Sequence, residues 1–142
     1  MTAKRPAVLF VCVKNGGKSQ MAAALMRHHA GDAVQVHSAG TRPGTAINAQ
    51  SAAAIAEVGA DMSSAVPQPV TAELLRNVDH VIVIGGEAEI EPVAGMTAPV
   101  TTWHTDEPST RGIEGVERMR LVRDDIDRRV RALLADLTQS SA

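Results

Sequence analysis

The 142-residue chain has no tyrosine, one phenylalanine, one tryptophan and one cysteine. With only Phe10 and Trp103 available to stack, it offers no aromatic platform for single-stranded nucleic acid. A formal net charge of −2 gives no basic surface of the kind that nucleic acid or an anionic membrane attracts. The apolar run from Ala7 to Val13 is too short to span a bilayer and lacks the small-residue cleavage site of a signal peptide. The expected setting is therefore cytoplasmic, with neither nucleic acid nor membrane as partner. The lone Cys12 excludes an intramolecular disulfide. Any redox cycle through it must recruit a thiol from another molecule. No spacing of histidine with cysteine suggests zinc, and no metal is expected.

What is present suits one domain over residues 1–142, with 44% apolar and 21% charged residues. Four β-branched runs predict strands: Val8–Val13, Val34–Ser38, His80–Ile84 and Val100–Trp103. Helices are predicted over Lys18–Ala30, over Asn48–Val58 with Asn48 as cap and Gly59 as stop, and briefly over Thr71–Arg76 with Thr71 as cap. The last helix runs from about Gly115 to Leu137, with Met119, Val122, Ile126, Val130, Leu133 and Leu137 at helical spacing. Its charges, among them Arg118, Arg123, Asp124, Asp127 and Arg128, read as a solvated face. His28 and His29 fall at a helix end, where cationic histidine suits the dipole. His37 and His104 lie near strand ends and receive no function. Alternating strands and helices imply an α/β fold with parallel pairing and helices on both sheet faces. Such sheets bind ligands beyond the carboxyl ends of their strands, where Cys12 is placed.

The segment VLFVCVKNGGKSQM, Val8 to Met21, joins the first strand to the first helix. Its GKS ending resembles a nucleotide phosphate loop, but Cys12 stands where that motif needs its first glycine. No strand ends in a clear magnesium-binding aspartate, so the nucleotide reading ranks low. A loop through Val13, Lys14, Asn15, Gly16 and Gly17 into a helix at Lys18 can aim several amides at one tetrahedral oxyanion. Gly16 and Gly17 are expected to supply the positive φ angles such a nest requires. Positive potential there favours a nucleophilic thiolate at Cys12, with Ser19 donating a hydrogen bond to the sulfur. Lys18 adds a cation for the anion.

The pattern C-x-x-N-x-x-[RK]-S-Q-M-A-A-A, here Cys12 to Ala24, resembles the low-molecular-weight protein tyrosine phosphatases, and within them the arsenate reductase branch. The resemblance continues through HSAGT (His37–Thr41), DHVIVIG (Asp79–Gly85), TWHTDEP (Thr102–Pro108) and RLVRDDI (Arg120–Ile126). It implies a three-layer sandwich with a four-stranded parallel sheet in the order 2-1-3-4. It also implies a nucleophilic Cys12, an oxyanion substrate such as arsenate or phosphate, and a general acid after the fourth strand. That acid is Glu107, directly before Pro108, or its neighbour Asp106. Asn15 and Ser38 are expected to support the loop through a hydrogen bond between them.

Three departures from the family pattern matter. The family loop is C-x5-R, whereas position 18 here is lysine, a point charge that cannot form the guanidinium fork. Lys14 and Arg111 are candidates to make up the charge. Thioredoxin-linked arsenate reductases carry further cysteines after the third strand, and here GGEAEIEP, Gly85 to Pro92, has none. The resemblance then points to the actinobacterial mycothiol-dependent branch. In that branch a small thiol such as mycothiol is co-substrate and a mycoredoxin- or glutaredoxin-like protein is reductant, with no bound cofactor. Finally, the scarcity of aromatics fits a small inorganic oxyanion better than an aryl phosphate. The alternatives are a phosphatase working through a phosphocysteine and a non-catalytic oxyanion-binding protein.

Overall fold

Successive residues of the first strand bury in opposite directions, and that alternation lays out the whole architecture. In the computed structural model, which describes residues 5–139, the elements run β1 (Ala7–Cys12), α1 (Lys18–Ala30), β2 (Gln35–Gly40), α2 (Ala49–Glu57), α3 (Ala72–Asn77), β3 (His80–Ile84), β4 (Val100–Trp103) and α4 (Gly115–Gln139). Val8, Phe10, Ile82, Ile84 and Trp103 point to one face and pack with α1, α2 and α4. Ala7, Leu9, Val11, Val81 and Val83 point to the other, against Leu75 of α3 and the segments around Ala88 and Ala98. A strand covered on both faces must be apolar at every position, which is why β1 and β3 carry unbroken hydrophobic runs.

The sheet is four-stranded and wholly parallel, in the order β2-β1-β3-β4. This is the three-layer α/β fold expected. β1 has its neighbours on opposite sides, so its carboxyl end opens at the point where the chain changes direction across the sheet. The two aromatics pack on each other inside the core, with ring centroids 5.8 Å apart.

The caps behave as read from the sequence. Asn48 Oδ1 accepts from Ser51 N at 2.8 Å, Thr71 Oγ1 accepts from Leu74 N at 3.1 Å, and Gly59 takes φ +86° just past α2. Strand boundaries move by one or two residues. β1 begins at Ala7 and ends at Cys12, leaving Val13 to the loop, and β2 begins after Val34 and extends to Gly40. The extension follows from register: Gly40 pairs with Cys12 and also bridges to Pro69.

The solvated-face reading of α4 needs correction at two positions. Arg123 is 9% exposed and donates to Ala54 O at 2.9 Å and Glu57 Oε1 at 2.8 Å. Arg118 turns toward the Cys12 cleft described below. Both belong to interfaces because α4 packs on α1 and α2 along one side and on the segment after β4 along another.

Candidate functional site

The loop between β1 and α1 is built by its carbonyls. Those of Cys12, Val13, Lys14 and Gly16 accept from the backbone N–H groups of Thr41, Arg42, Gly44 and Asn48, at 3.1, 2.8, 3.0 and 2.7 Å. A trans peptide sets its N–H opposite its C=O. The amides of Val13, Lys14, Asn15 and Gly17 are thus turned away from the 41–48 segment, and Asn15 N donates to Cys12 Sγ at 3.3 Å. The carbonyls satisfied on one side are what frees the amides for the other.

The positive φ of the loop does not fall on its glycines. It falls on Asn15, at φ +53°, the one non-glycine residue with this conformation among the described residues. Asparagine tolerates it because its short amide bonds locally. Gly16 is needed for space instead: a Cβ there would lie 3.0 Å from Ala46 O. Gly40 is needed more, since its Cβ would stand 2.6 Å from Val13 O and 3.0 Å from Asn15 N. Nothing in the sequence reading singled out Gly40. A glycine closing a strand was the available signal, because it marks close backbone approach.

Asn15 is fully buried and organises the sulfur's surroundings. Its Oδ1 accepts from Gln68 N at 3.0 Å and Gln20 Nε2 at 3.2 Å, which fixes the amide's orientation. Its Nδ2 donates to Ser19 Oγ at 2.7 Å, and Ser19 Oγ lies 2.9 Å from Cys12 Sγ. Either atom of the Ser19–Cys12 contact can carry the hydrogen, but a Cys12 thiolate has none, so with the thiolate the Ser19 hydroxyl is the donor. The chain Gln68–Asn15–Ser19–Cys12 therefore holds a donor ready for the thiolate. The expected bond from Asn15 to Ser38 is not formed. Ser38 is buried on β2, and its carbonyl accepts from Gln68 Nε2 at 2.7 Å. Gln68 and Gln20 hold Asn15: Gln20 stands inside the C-x-x-N-x-x-[RK]-S-Q-M pattern but received no role, and Gln68 lies in a loop where glutamine carries no motif.

Cys12 is half-buried and opens into a cleft of about 480 Å³. Val13, Lys18, Ile84, Gly85, Gly86, Glu87, His104, Thr105, Glu107 and Arg118 line it, and no Phe, Tyr or Trp does. Lys14 lines a neighbouring cleft of about 740 Å³, which shares Lys18 and Arg118 with the first. Thr105 Oγ1, at the edge of the Cys12 cleft, is buried without a hydrogen-bond partner.

Both carboxylates of the loop after β4 are held by arginine. Arg118 donates from Nε and Nη2 to Glu107 at 2.8 Å each, Ser109 Oγ donates at 3.1 Å, and Lys18 Nζ stands 3.7 Å away. The Arg118 hydrogen bonds, helped by Ser109 and Lys18, hold the Glu107 carboxyl at about 2. Arg111 forks onto Asp106 at 2.7 and 3.0 Å, lowering that carboxyl too. Arg111 is therefore engaged with Asp106, and neither of the two is among the residues lining the Cys12 cleft. His37 sits on β2 with its pKa lowered by burial, then by Arg27. His29 pairs with Asp127 at 2.6 Å on α4. Among the described residues, no group of three or more His, Cys, Asp or Glu is placed to hold a metal ion. No helix among them is long and apolar enough to cross a membrane.

A thiol at the carboxyl end of a central parallel strand, with the Asn15 amide donating to it and Lys18 and Arg118 lining its cleft, makes a candidate cysteine-based oxyanion site. Gly16 and Gly17 of the loop line the neighbouring cleft. The chain belongs to the low-molecular-weight phosphotyrosine protein phosphatase family, whose profile matches residues 7–142. It is 31% identical over 132 residues to an arsenate reductase of Bacillus licheniformis, covering 87% of this chain and 91% of that one. A solved thioredoxin-dependent arsenate reductase of Corynebacterium glutamicum superposes with a TM-score of 0.80 at 32% identity. That match covers 99% of this chain, which spans only 65% of the other's length. A solved arsenate reductase in a phosphate-binding state gives a TM-score of 0.77 at 26% identity, covering 93% of this chain and 98% of that one.

Proposed function

We propose that this protein is a thiol-dependent arsenate reductase, with Cys12 as nucleophile. The observation that carries the reading is the sulfur's position: it receives donors from Asn15 N and Ser19 Oγ and opens into a cleft lined by Lys18 and Arg118. In the first step the thiolate attacks arsenic and an As–S bond forms. One As–O bond breaks, and the departing oxygen takes a proton from the loop carrying Asp106 and Glu107 and leaves as water. The loop amides of Val13 to Gly17 and the Lys18 ammonium hold the remaining oxygens.

The chain holds a single cysteine, so no second thiol within these 142 residues can receive the arsenic. A small thiol of the mycothiol class displaces Cys12, forming its own bond to arsenic and returning Cys12 as thiolate, with arsenic still pentavalent. A mycoredoxin- or glutaredoxin-like dithiol then attacks that small thiol's sulfur. The sulfur–arsenic bond breaks with its electron pair going to arsenic, which leaves as arsenite, and a mixed disulfide remains. The relatives named as arsenate reductases support the substrate class. A cleft without Phe, Tyr or Trp supports a small inorganic substrate over an aryl ester.

The test is arsenite formation by the purified chain supplied with arsenate, each small thiol in turn, and the matching dithiol protein. Turnover is expected with a small thiol present and abolished by Cys12→Ser. No arsenite under any thiol, or unchanged turnover in C12S, refutes the reading. The family's phosphatase character supports a second reading, hydrolysis through a phosphocysteine. Release of phosphate from an aryl phosphate with no added thiol would favour it.

A further inference from the structure

The guanidinium expected at loop position 18 is absent, yet one stands in the Cys12 cleft. It belongs to Arg118, in the first turns of α4, and its Nε and Nη2 grip the two oxygens of Glu107 at 2.8 Å each. Lys18 Nζ approaches the same Glu107 Oε1 at 3.7 Å. The cluster stays reachable from solvent, with side-chain exposures of 28% for Arg118 and 35% for Glu107. A carboxylate offers a guanidinium two oxygens side by side, and a tetrahedral oxyanion presents two of its oxygens in the same way. Two cations converging on one carboxylate leave a net positive charge, which suits an anion of higher charge better than the glutamate.

We propose that Arg118 is the oxyanion-binding guanidinium of this protein, supplied by α4 in place of a loop arginine, with the Glu107 carboxylate occupying its fork until an anion enters. The proposal rests on the reading of the Cys12 cleft as an oxyanion site. On binding, the oxyanion takes over Arg118 and Lys18, and Glu107 is released. The released carboxylate has lost the hydrogen bonds that held it at about 2 and now faces an anion, so its affinity for protons rises. That is the direction an acid needs before it can protonate a departing oxygen. The charged and titratable groups around it are Lys18 from α1, Arg118 from α4, Cys12, Glu87 and His104 lining the same cleft, and the like-charged Asp106 beside it in the loop. Asp106 lacks this coupling, since its fork to Arg111 lies away from the cleft lining. Substrate binding would thus switch on Glu107 rather than its neighbour.

The test is calorimetric binding of inorganic phosphate and arsenate to the full chain and its variants, with circular dichroism to verify folding. R118A is expected to weaken binding about tenfold or more, the loss of one hydrogen bond between charged groups. K18R placed in the R118A background should restore most of that loss, because it returns the fork to the loop. E107Q should tighten binding severalfold by removing the competing carboxylate. Affinity within twofold of wild type in R118A, or no rescue by K18R, overturns the assignment of Arg118. An unchanged affinity in E107Q overturns the placeholder role. Should R118A not fold, R118K decides: it keeps the charge without the fork, and wild-type affinity there overturns the proposal. Absence of thiol-dependent arsenate turnover in the wild type would refute the proposed function and leave these affinities to judge Arg118 separately.

Discussion

Replacing Asn15 by alanine should destabilise the fold by about 2–5 kcal/mol. Alanine at φ +53° carries about 1–2 kcal/mol of backbone strain that asparagine largely avoids. The side chain's loss also removes the bonds to Gln68 N and to buried Ser19 Oγ, together about 1–3 kcal/mol at about 0.5–1.5 kcal/mol each. Gln20 is not stranded, because its amide still reaches Asn15 O and Val66 O. A loss of this size should lower the melting temperature by on the order of 10 °C. N15G should recover about 1 kcal/mol of it, since glycine removes the strain but not the missing acceptor. N15D separates folding from chemistry. It keeps the oxygen that Gln68 needs but replaces the donor to Ser19 with an acceptor, so the Ser19 hydrogen turns from the sulfur to the new carboxylate. That variant should fold, while its alkylation by iodoacetamide at fixed pH slows about tenfold, the equivalent of one charge-assisted hydrogen bond. Melting of N15A within about 2 °C of wild type, or alkylation of N15D at the wild-type rate, would refute the reasoning.

Three further outcomes follow from the packing. Gly40→Ala places a Cβ 2.6 Å from the Val13 carbonyl, where only backbone can yield, and should cost about 1–3 kcal/mol in chemical denaturation while weakening phosphate binding. Arg123→Ala should lose about 1–3 kcal/mol, because the Ala54 carbonyl and Glu57 each lose a donor; Arg123→Met, which keeps the packing, should lose less, and urea melts distinguish them. Glu107 is held at about 2 against an ordinary 4.5, so its ion pairs stabilise the fold above the ordinary value and are lost as pH falls through about 2. Wild type should therefore exceed E107Q by about 1 kcal/mol near neutrality, a figure set by the solvent screening of partly exposed pairs. The two should converge between pH 4.5 and 2 in pH-dependent denaturation.

The sheet and the thiol were legible because their signals are local. An apolar run in every position marks a strand covered on both faces, and β1 and β3 are so covered. Asn48 and Thr71 announced their helices by residue type alone. The Cys12, Ser19 and Lys18 placements also follow from order along one loop. What stayed hidden depends on which segment passes by. The arginines of α4 all read as solvated charge, and polarity alone does not distinguish Arg118, at the cleft, from Arg128, whose side chain is 71% exposed. Only the path of the chain after β4 separates them. The positive φ was assigned to glycine by propensity, whereas close backbone approach demands glycine at 16 and 40 and leaves the strained angle to Asn15.

Moving a guanidinium from the loop to α4 makes the anion site depend on how that helix is anchored. Three of its residues hold the segment after β4. Arg118 forks onto Glu107, Asp125 Oδ2 accepts from Asp106 N at 2.7 Å, and Arg129 Nη2 donates to His104 O at 2.9 Å. Positions 118, 125 and 129 fall seven and four residues apart, which is one face of a helix. The segment with both candidate acids and the helix with the guanidinium are therefore coupled along their length. The helix itself is fixed by Val122, Ile126 and Val130, all buried in the core that α4 shares with α1, α2 and one face of the sheet. Rotating α4 by one residue would swing Arg118 about 100° away from the cleft and break all three contacts together. A loop arginine would be indifferent to that register. With lysine at position 18, the geometry of the proposed oxyanion site is set by core packing along the adjacent flank of the helix.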